Sequence, residues 1–166
     1  MTGRSSEQVE TNDSLEDVLK PFEVRDPNLH DFTLLVEGRE LYASEKILAQ
    51  YSNYFYKLFG YDSEYSSKTT RVRDDRTFKV EDAHFHDFRS FLALLYNQPN
   101  IITKNNYYEL TKLSARFKAE QCLEECEKFI TNMKYSSGYN LIYAQDFGLK
   151  KLKWRAKRCS KIISTS

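Results

Sequence analysis

Glycine and proline are scarce in this chain, five and three among 166 residues. So few of either exclude a glycine-rich phosphate loop and a sandwich built from many tight turns. Cysteine is also rare, and its count of three is odd. An odd count fits a reducing compartment, cytoplasmic or nuclear, rather than a disulfide framework. Charge of one sign is missing too. Lys and Arg number 25, Asp and Glu 24, and the net charge of +1 gives the whole molecule no electrostatic case for nucleic acid. No apolar run approaches the roughly 18 residues a membrane-spanning helix needs. The opening MTGRSSEQVETNDS is polar and is no signal peptide. Asn12-Asp13-Ser14 matches a glycosylation sequon, which has no meaning in a cytosolic protein.

What the chain has in quantity is aromatic residues, twelve Tyr and eleven Phe. Tyrosine suits surfaces that are buried at one time and wet at another. Apolar residues make up 40% of the chain and charged residues 30%. That balance, at this length, predicts one compact domain with a short extension.

Residues 1–13 are polar and lack aromatics, which predicts disorder. Ser14 and Asp17 have capping-box spacing, and Leu15, Val18, Leu19 and Phe22 then form one apolar stripe. Pro21 interrupts the last turn. So short a helix needs a partner for its stripe, either its own domain or a second subunit. Asp31 to Val36 reads as a strand, Glu37-Gly38-Arg39 as a turn and Glu40 to Ala43 as the returning strand. Ser44 caps a helix, and Ile47, Leu48, Tyr51, Phe55, Leu58 and Phe59 repeat at helical spacing. Ser52 sits inside that repeat and can cap a second helix, which would make the element a hairpin.

Gly60 ends the pair, and 61–76 reads as a long polar loop. Thr77 to Val80 alternates as a strand. Phe88, Phe91, Leu92 and Leu95 mark a helix ending near Tyr96. Thr103 caps the next helix, which carries Tyr107, Leu110, Leu113 and Phe117. Leu123, Cys126 and Ile130 mark another. Beyond a loop at Ser136-Ser137-Gly138, Leu141, Ala144 and Phe147 form a helix closed by Gly148. A last helix runs from Leu149 to about Ile163. Early strands followed by helices give an α+β fold dominated by helix.

Chemical readings compete with plainer ones. Cys122 and Cys126, with His84 and His86, offer four ligand types for zinc. The i, i+4 thiols lack a C-x-x-C knuckle, however, and read as buried thiols beside two solvent-facing imidazoles. Asp82, His84, His86 and Asp87 read as the polar start of a helix rather than as acid–base machinery. No activated nucleophile is assembled, so neither an enzyme nor a cofactor is expected. The basic tail KKLKWRAKRCSKI reads as an amphipathic helix packed through Leu152, Ala156 and Cys159, with Trp154 off that face.

The stretch DFTLLVEGRELYASEKILAQYSNYFYKLF resembles the opening of a BTB/POZ domain. Its run of Leu48, Ala49, Ser52 and Phe55 is the specific part. FHDFRSFLALLYN and ELTKLSARFKAEQCLEECEKFI resemble the helices that follow in that family. The flavour is that of nematode BTB proteins, including those that carry a MATH domain. The resemblance implies a BTB/POZ fold, a small early β-sheet flanked by a helical cluster, over 29–132. An extension of disordered chain and short helix precedes it over 1–28, and 133–166 is similar to the helical BACK or 3-box hairpin.

Such domains are non-enzymatic interaction modules that dimerise, and many dock on a cullin scaffold of the cullin-three class as ubiquitin-ligase substrate adaptors. The resemblance implies Phe59, Tyr61, Tyr65, Tyr96 and Asn97 for a cullin face, and Leu15, Val18, Leu19, Asp31 and Glu45 for self-association. The alternative is an oligomerisation or regulatory scaffold without cullin binding. Three departures bear on the choice. Where family dimers set a basic residue near Asp31, this chain has Ser44-Glu45, which predicts repulsion of several kcal/mol in a buried interface. The hydrophobic–x–Glu motif is absent from FGYDSEYSSKTT. The family's Tyr-x-Gly is Tyr96-Asn97-Gln98.

Overall fold

The computed structural model describes residues 10–61, 76–133, 142 and 144–149. Its elements are helix α1 (Glu10–Leu19) with a 3-10 turn (Lys20–Glu23), strands β1 (Phe32–Val36) and β2 (Arg39–Ala43), helices α2 (Glu45–Tyr51) and α3 (Asn53–Leu58), strand β3 (Thr77–Val80), and helices α4 (Phe85–Leu95), α5 (Tyr107–Arg116) and α6 (Glu120–Asn132). The fold is α+β.

The sheet has the order β2-β1-β3. β1 and β2 pair antiparallel from Phe32 opposite Ala43 to Val36 opposite Arg39. β3 lies parallel to β1. Alternation decides which face is buried: Phe32, Leu34 and Val36 go inward, as do Leu41, Ala43, Phe78 and Val80. The hairpin turns through Glu37 and Gly38, both left-handed at φ +50° and +77°. A two-residue turn of this hand matches the twist of the strands.

α4 is the centre of the molecule. Every residue from Phe88 to Leu95 is buried, and so is Phe85. A helix buried over so long a run is one surrounded by protein. Phe117, at the end of α5, joins the aromatic core. It stacks on Phe55 with centroids 5.3 Å apart and meets Phe88 at 5.4 Å and Phe91 at 5.5 Å.

The break between α2 and α3 falls at Ser52, as its place in the repeat predicts. The Ser52 hydroxyl accepts from the Phe55 N–H at 3.2 Å and donates to the Phe117 carbonyl at 2.5 Å. The stripe of α1 is met within the same chain. Leu19 and Phe22 are buried in the main core, and Leu15 and Val18 pack against it half-buried. Arg89 of α4, itself buried, pairs with Glu16 of α1 and with Glu23 of the 3-10 turn.

Three helix starts differ from the sequence reading. α1 begins at Glu10, ahead of Ser14. Ser44 stands at the N-cap of α2, but its side chain makes no capping bond. α5 begins at Tyr107, well after Thr103. There the Asn106 amide closes a turn instead, accepting from the Thr103 N–H at 2.7 Å and donating to the Ile101 carbonyl at 2.9 Å. Asn side chains compete with the helix in this way.

Gly148 is left-handed at φ +67°, and the Leu149 N–H returns to the Ala144 carbonyl at 3.0 Å. Ala144 and Leu149 are buried with Ile130 in a second small core. The loop at Ser136–Gly138, the basic tail with Trp154 and most of the expected last helix lie outside the described residues.

Candidate interaction surface

Two consecutive backbone amides, those of Ser44 and Glu45, draw the predicted site residues together. The Ser44 N–H donates to the Tyr96 hydroxyl at 2.6 Å. The Glu45 N–H donates to Asp31 Oδ1 at 2.7 Å. A carboxylate at this position meets an orphan donor and the positive end of α2. Asp31 therefore does the capping expected of Ser44.

The Glu45 side chain is also satisfied. Tyr61 donates its hydroxyl to Oε1 at 3.0 Å. Arg76, at the start of β3, pairs with Oε2 and also donates through Nε to the Asp31 carbonyl at 3.0 Å. Within this chain the two carboxylates have separate partners. Asp31 faces the Glu45 backbone, and Arg76 faces the Glu45 carboxylate.

The electrostatics follow from these contacts. Accepting the bond from Tyr61, Glu45 raises the Tyr61 phenol above its ordinary value, and Arg76 opposes it. Tyr96 is raised chiefly by burial, the Ser44 amide acting the other way. Tyr96 also meets Phe22 edge-on at 5.0 Å. It is therefore a tie between α4, the 3-10 turn and α2 as well as a candidate contact.

Asn97 follows α4 in the left-handed region at φ +59°. Its N–H returns to the Leu94 carbonyl at 2.9 Å and that of Gln98 to Ala93 at 3.0 Å, the Schellman pattern. Asn can take this conformation, and Gln98, at the place of the family's glycine, is not left-handed. Phe59 is half-buried, edge-on to Phe32 at 4.8 Å. Tyr61 is 51% exposed and stacks on Tyr56 at 5.6 Å. Tyr56 in turn lines a groove of about 340 Å³ with Tyr51, Asn53, Lys118 and Gln121. Tyr65 lies outside the described residues.

The two sets of predicted residues are therefore not separate faces. Asp31, Glu45, Tyr61 and Tyr96 meet at the first turn of α2, while Leu15, Val18 and Leu19 lie on α1. Sequence reading missed Arg76 and Tyr56. Arg76 closes a polar stretch with no periodicity. Tyr56, by contrast, falls off the apolar stripe of its helix and was legible as exposed.

At the other end of the domain, Glu37 caps α4. Its Oε2 accepts from the Phe85 N–H at 2.9 Å and its Oε1 faces His84 Nδ1 at 2.9 Å. An acid stands in the first turn of this helix as expected, at Asp87, and the hairpin turn supplies the cap itself. Cys122 and Cys126 are both buried, and burial pushes their thiols up to about 12 and about 11. Neutral thiols of this kind are core residues. Among the described residues no three ligand-type side chains gather as a metal site would need.

A family model for the BTB/POZ domain matches residues 22–134, well over half the chain. The chain belongs to the BTB/POZ domain family. It is 27% identical over 135 residues to BTB and MATH domain-containing protein 38 of Caenorhabditis elegans, covering 76% of this chain and 33% of that protein. To BTB and MATH domain-containing protein 36 of the same nematode it is 27% identical over 146 residues, covering 82% and 43%. The chain thus spans less than half the length of either relative. The solved BTB domain of zebrafish PATZ1 is similar in fold, with a TM-score of 0.53 at 17% identity over 80% of this chain and 99% of that one. BTB domains are protein–protein interaction modules, and the nematode MATH–BTB flavour of the sequence is borne out by these relatives.

Proposed function

We propose that this BTB domain is a non-enzymatic substrate adaptor that docks on a cullin scaffold of the cullin-three class, in the cytoplasm or nucleus. The observation that carries the reading is the setting of Tyr61. Its ring stands half-exposed, stacked on Tyr56 and tethered to Glu45 at 3.0 Å. An aromatic side chain held ready at a surface loses little rotamer freedom on binding and makes a good anchor. Phe59, Tyr65, Tyr96 and Asn97 complete the proposed face. The test is a pull-down of a purified cullin N-terminal domain. Tyr61→Ala with Tyr65→Ala is expected to weaken capture tenfold or more, on the order of 1.4 kcal/mol. Unchanged capture, or no capture by the parent protein, would sink the proposal.

A second reading is an oligomerisation or regulatory scaffold that leaves cullins alone. The absent hydrophobic–x–Glu motif favours it. For self-association we propose Leu15 and Val18 of α1 with Asp31 and Glu45; Leu19, buried in the chain's own core, backs them from within. Because Arg76 neutralises Glu45 inside the chain, a second copy need not supply a cation. Light scattering on the pull-down samples separates dimer from monomer.

A further inference from the structure

We propose that Tyr61 is a phosphorylation site, and that Glu45 and Arg76 form the switch on which the phosphate acts. The idea goes beyond the docking reading and needs no cullin. It rests on three groups in one cluster. Tyr61 Oη donates to one oxygen of the Glu45 carboxylate at 3.0 Å. Arg76 Nη2 holds the other oxygen of the same carboxylate. Arg76 Nε meanwhile holds the Asp31 carbonyl at 3.0 Å, so the guanidinium is anchored where it stands. Phenol and guanidinium are one carboxylate apart.

The phenol is also presented to an enzyme. Gly60 turns left-handed at φ +77° and closes α3, so Tyr61 emerges just past a helix end. Tyr61 is 51% exposed. The chain continues Asp62-Ser63-Glu64, and acids beside the acceptor suit kinases that select substrates by charge.

The chemistry is a phosphoryl transfer. A tyrosine kinase moves the γ-phosphoryl group of a magnesium-bound nucleoside triphosphate to Tyr61 Oη. The new O–P bond forms as the β–γ bridge breaks, the nucleoside diphosphate leaves, and the phenol proton goes to the kinase's base. Before transfer, Tyr61 is a donor to Glu45. Afterwards it has no proton to donate and carries about −1.5 to −2 charges. Glu45 and the phosphate then repel each other. Arg76 has the planar fork that takes a phosphate with two parallel bonds. Arg76 therefore changes hands, from Glu45 to phosphotyrosine, and Glu45 is released at the first turn of α2. The modified edge becomes strongly acidic at the place where an aromatic side chain had stood ready for a partner.

The experiment incubates the 166-residue chain with a broad-specificity tyrosine kinase domain and magnesium ATP. Sites are mapped by mass spectrometry, and the phosphate is titrated by phosphorus NMR. Tyr61 is expected to be modified several-fold faster than Tyr56 or Tyr108, the other tyrosines exposed among the described residues. Its phosphate should titrate below the ordinary second pKa of about 6. Arg76→Gln should raise that titration by about half a unit, a threefold change in proton affinity, and Glu45→Gln should lower it. If Arg76→Gln does not fold, Glu45→Gln carries the test with the opposite sign. Phosphate on Tyr56 or Tyr108 with Tyr61 untouched overturns the proposal. So does a phosphate titration indifferent to both substitutions.

Discussion

The hydroxyl of Ser52 donates to the backbone carbonyl of Phe117 at 2.5 Å, across 65 residues of chain. The same oxygen accepts from the Phe55 N–H, so a single atom caps α3 and satisfies a buried carbonyl at the end of α5. Both groups lie beside the Phe55–Phe117 stack. With the backbone bonds from the Asn53 N–H to the Lys118 carbonyl at 3.2 Å and from the Tyr54 N–H to the Phe117 carbonyl at 3.4 Å, the tie joins the start of α3, and with it the Tyr56–Tyr61 pair, to the end of α5.

Ser52→Ala should therefore destabilise the domain. It removes a cap worth about 1 kcal/mol and leaves the Phe117 carbonyl with the longer bond from the Tyr54 N–H at 3.4 Å. A loss of about 1–2 kcal/mol in urea unfolding is the expected result. Ser44→Ala is the control, since the Ser44 side chain makes no capping bond; it should stay within about 0.5 kcal/mol. Equal losses from the two would contradict the assignment.

Arg89 offers a second test. Its side chain is 8% exposed and joins α4 to Glu16 and Glu23. Glu23 also pairs with Arg39, whose guanidinium lies over the Phe85 ring at 3.4 Å. Removing one partner of a buried ion pair costs about 3–5 kcal/mol. Glu16 is largely solvated, so Arg89→Ala should fall at or below the low end of that range. Arg89→Met keeps the packing of the stem and should lose less. Hydrogen exchange gives the local readout: protection over residues 15–23 should collapse in Arg89→Ala while that of β1 persists.

These contacts mark the limit of what the sequence could reveal. The strands were legible because Phe32, Leu34 and Val36 alternate, and the Ser52 break because a capping residue interrupts a helical repeat. Those are local patterns. Arg89 looked like one polar residue among the apolar residues of α4, and nothing near it in sequence names Glu16, 73 positions away, as its partner. Asp31 likewise caps a helix 14 positions on, and a strand-edge acid carries no periodic signal of that task. Tyr61 stood out as an aromatic in a polar stretch, but its tether to Glu45 depends on the two chain segments meeting. Capping by remote carboxylates and burial of paired charges are products of the fold.

The Glu37–His84 pair predicts a pH dependence with a definite sign. The hydrogen bond to Glu37 raises His84 above its ordinary value of 6.5. Its contribution is complete below 6.5 and is lost as pH rises through the elevated value. Glu37 is lowered from 4.5, first by the Phe85 N–H and then by His84, so its contribution is lost as pH falls through the depressed value. The pair therefore supports α4 most between these limits. Asp87 and Glu109 also face His84 and act in the same direction on it. His84→Gln should lower the melting temperature at mildly acidic pH and leave it nearly unchanged at alkaline pH, where the parent imidazole is neutral too. A constant offset across that range would mean the ion pair is not the cause.

Lys118 ends α5 in the left-handed region at φ +51°. The Lys118 N–H returns to the Ala115 carbonyl at 3.2 Å and that of Ala119 to Ser114 at 2.9 Å, so this is again a Schellman turn. A β-carbon in this conformation costs about 1 kcal/mol, which glycine avoids at the expense of a floppier unfolded chain. Lys118→Gly should therefore stabilise the domain by about 0.5 kcal/mol. Asn97→Gly, at the matching position after α4, should gain less, because Asn tolerates the left-handed region better than Lys. Paired urea titrations decide the ranking. Stabilisation at 97 greater than at 118 would show that the Asn97 side chain is strained by something other than its own backbone. Lys118 also lines the groove beside Tyr56. The same Lys118→Gly protein, carried into the cullin pull-down, reads out whether that lysine contributes to docking: capture lost while stability rises would place the contact in the side chain itself.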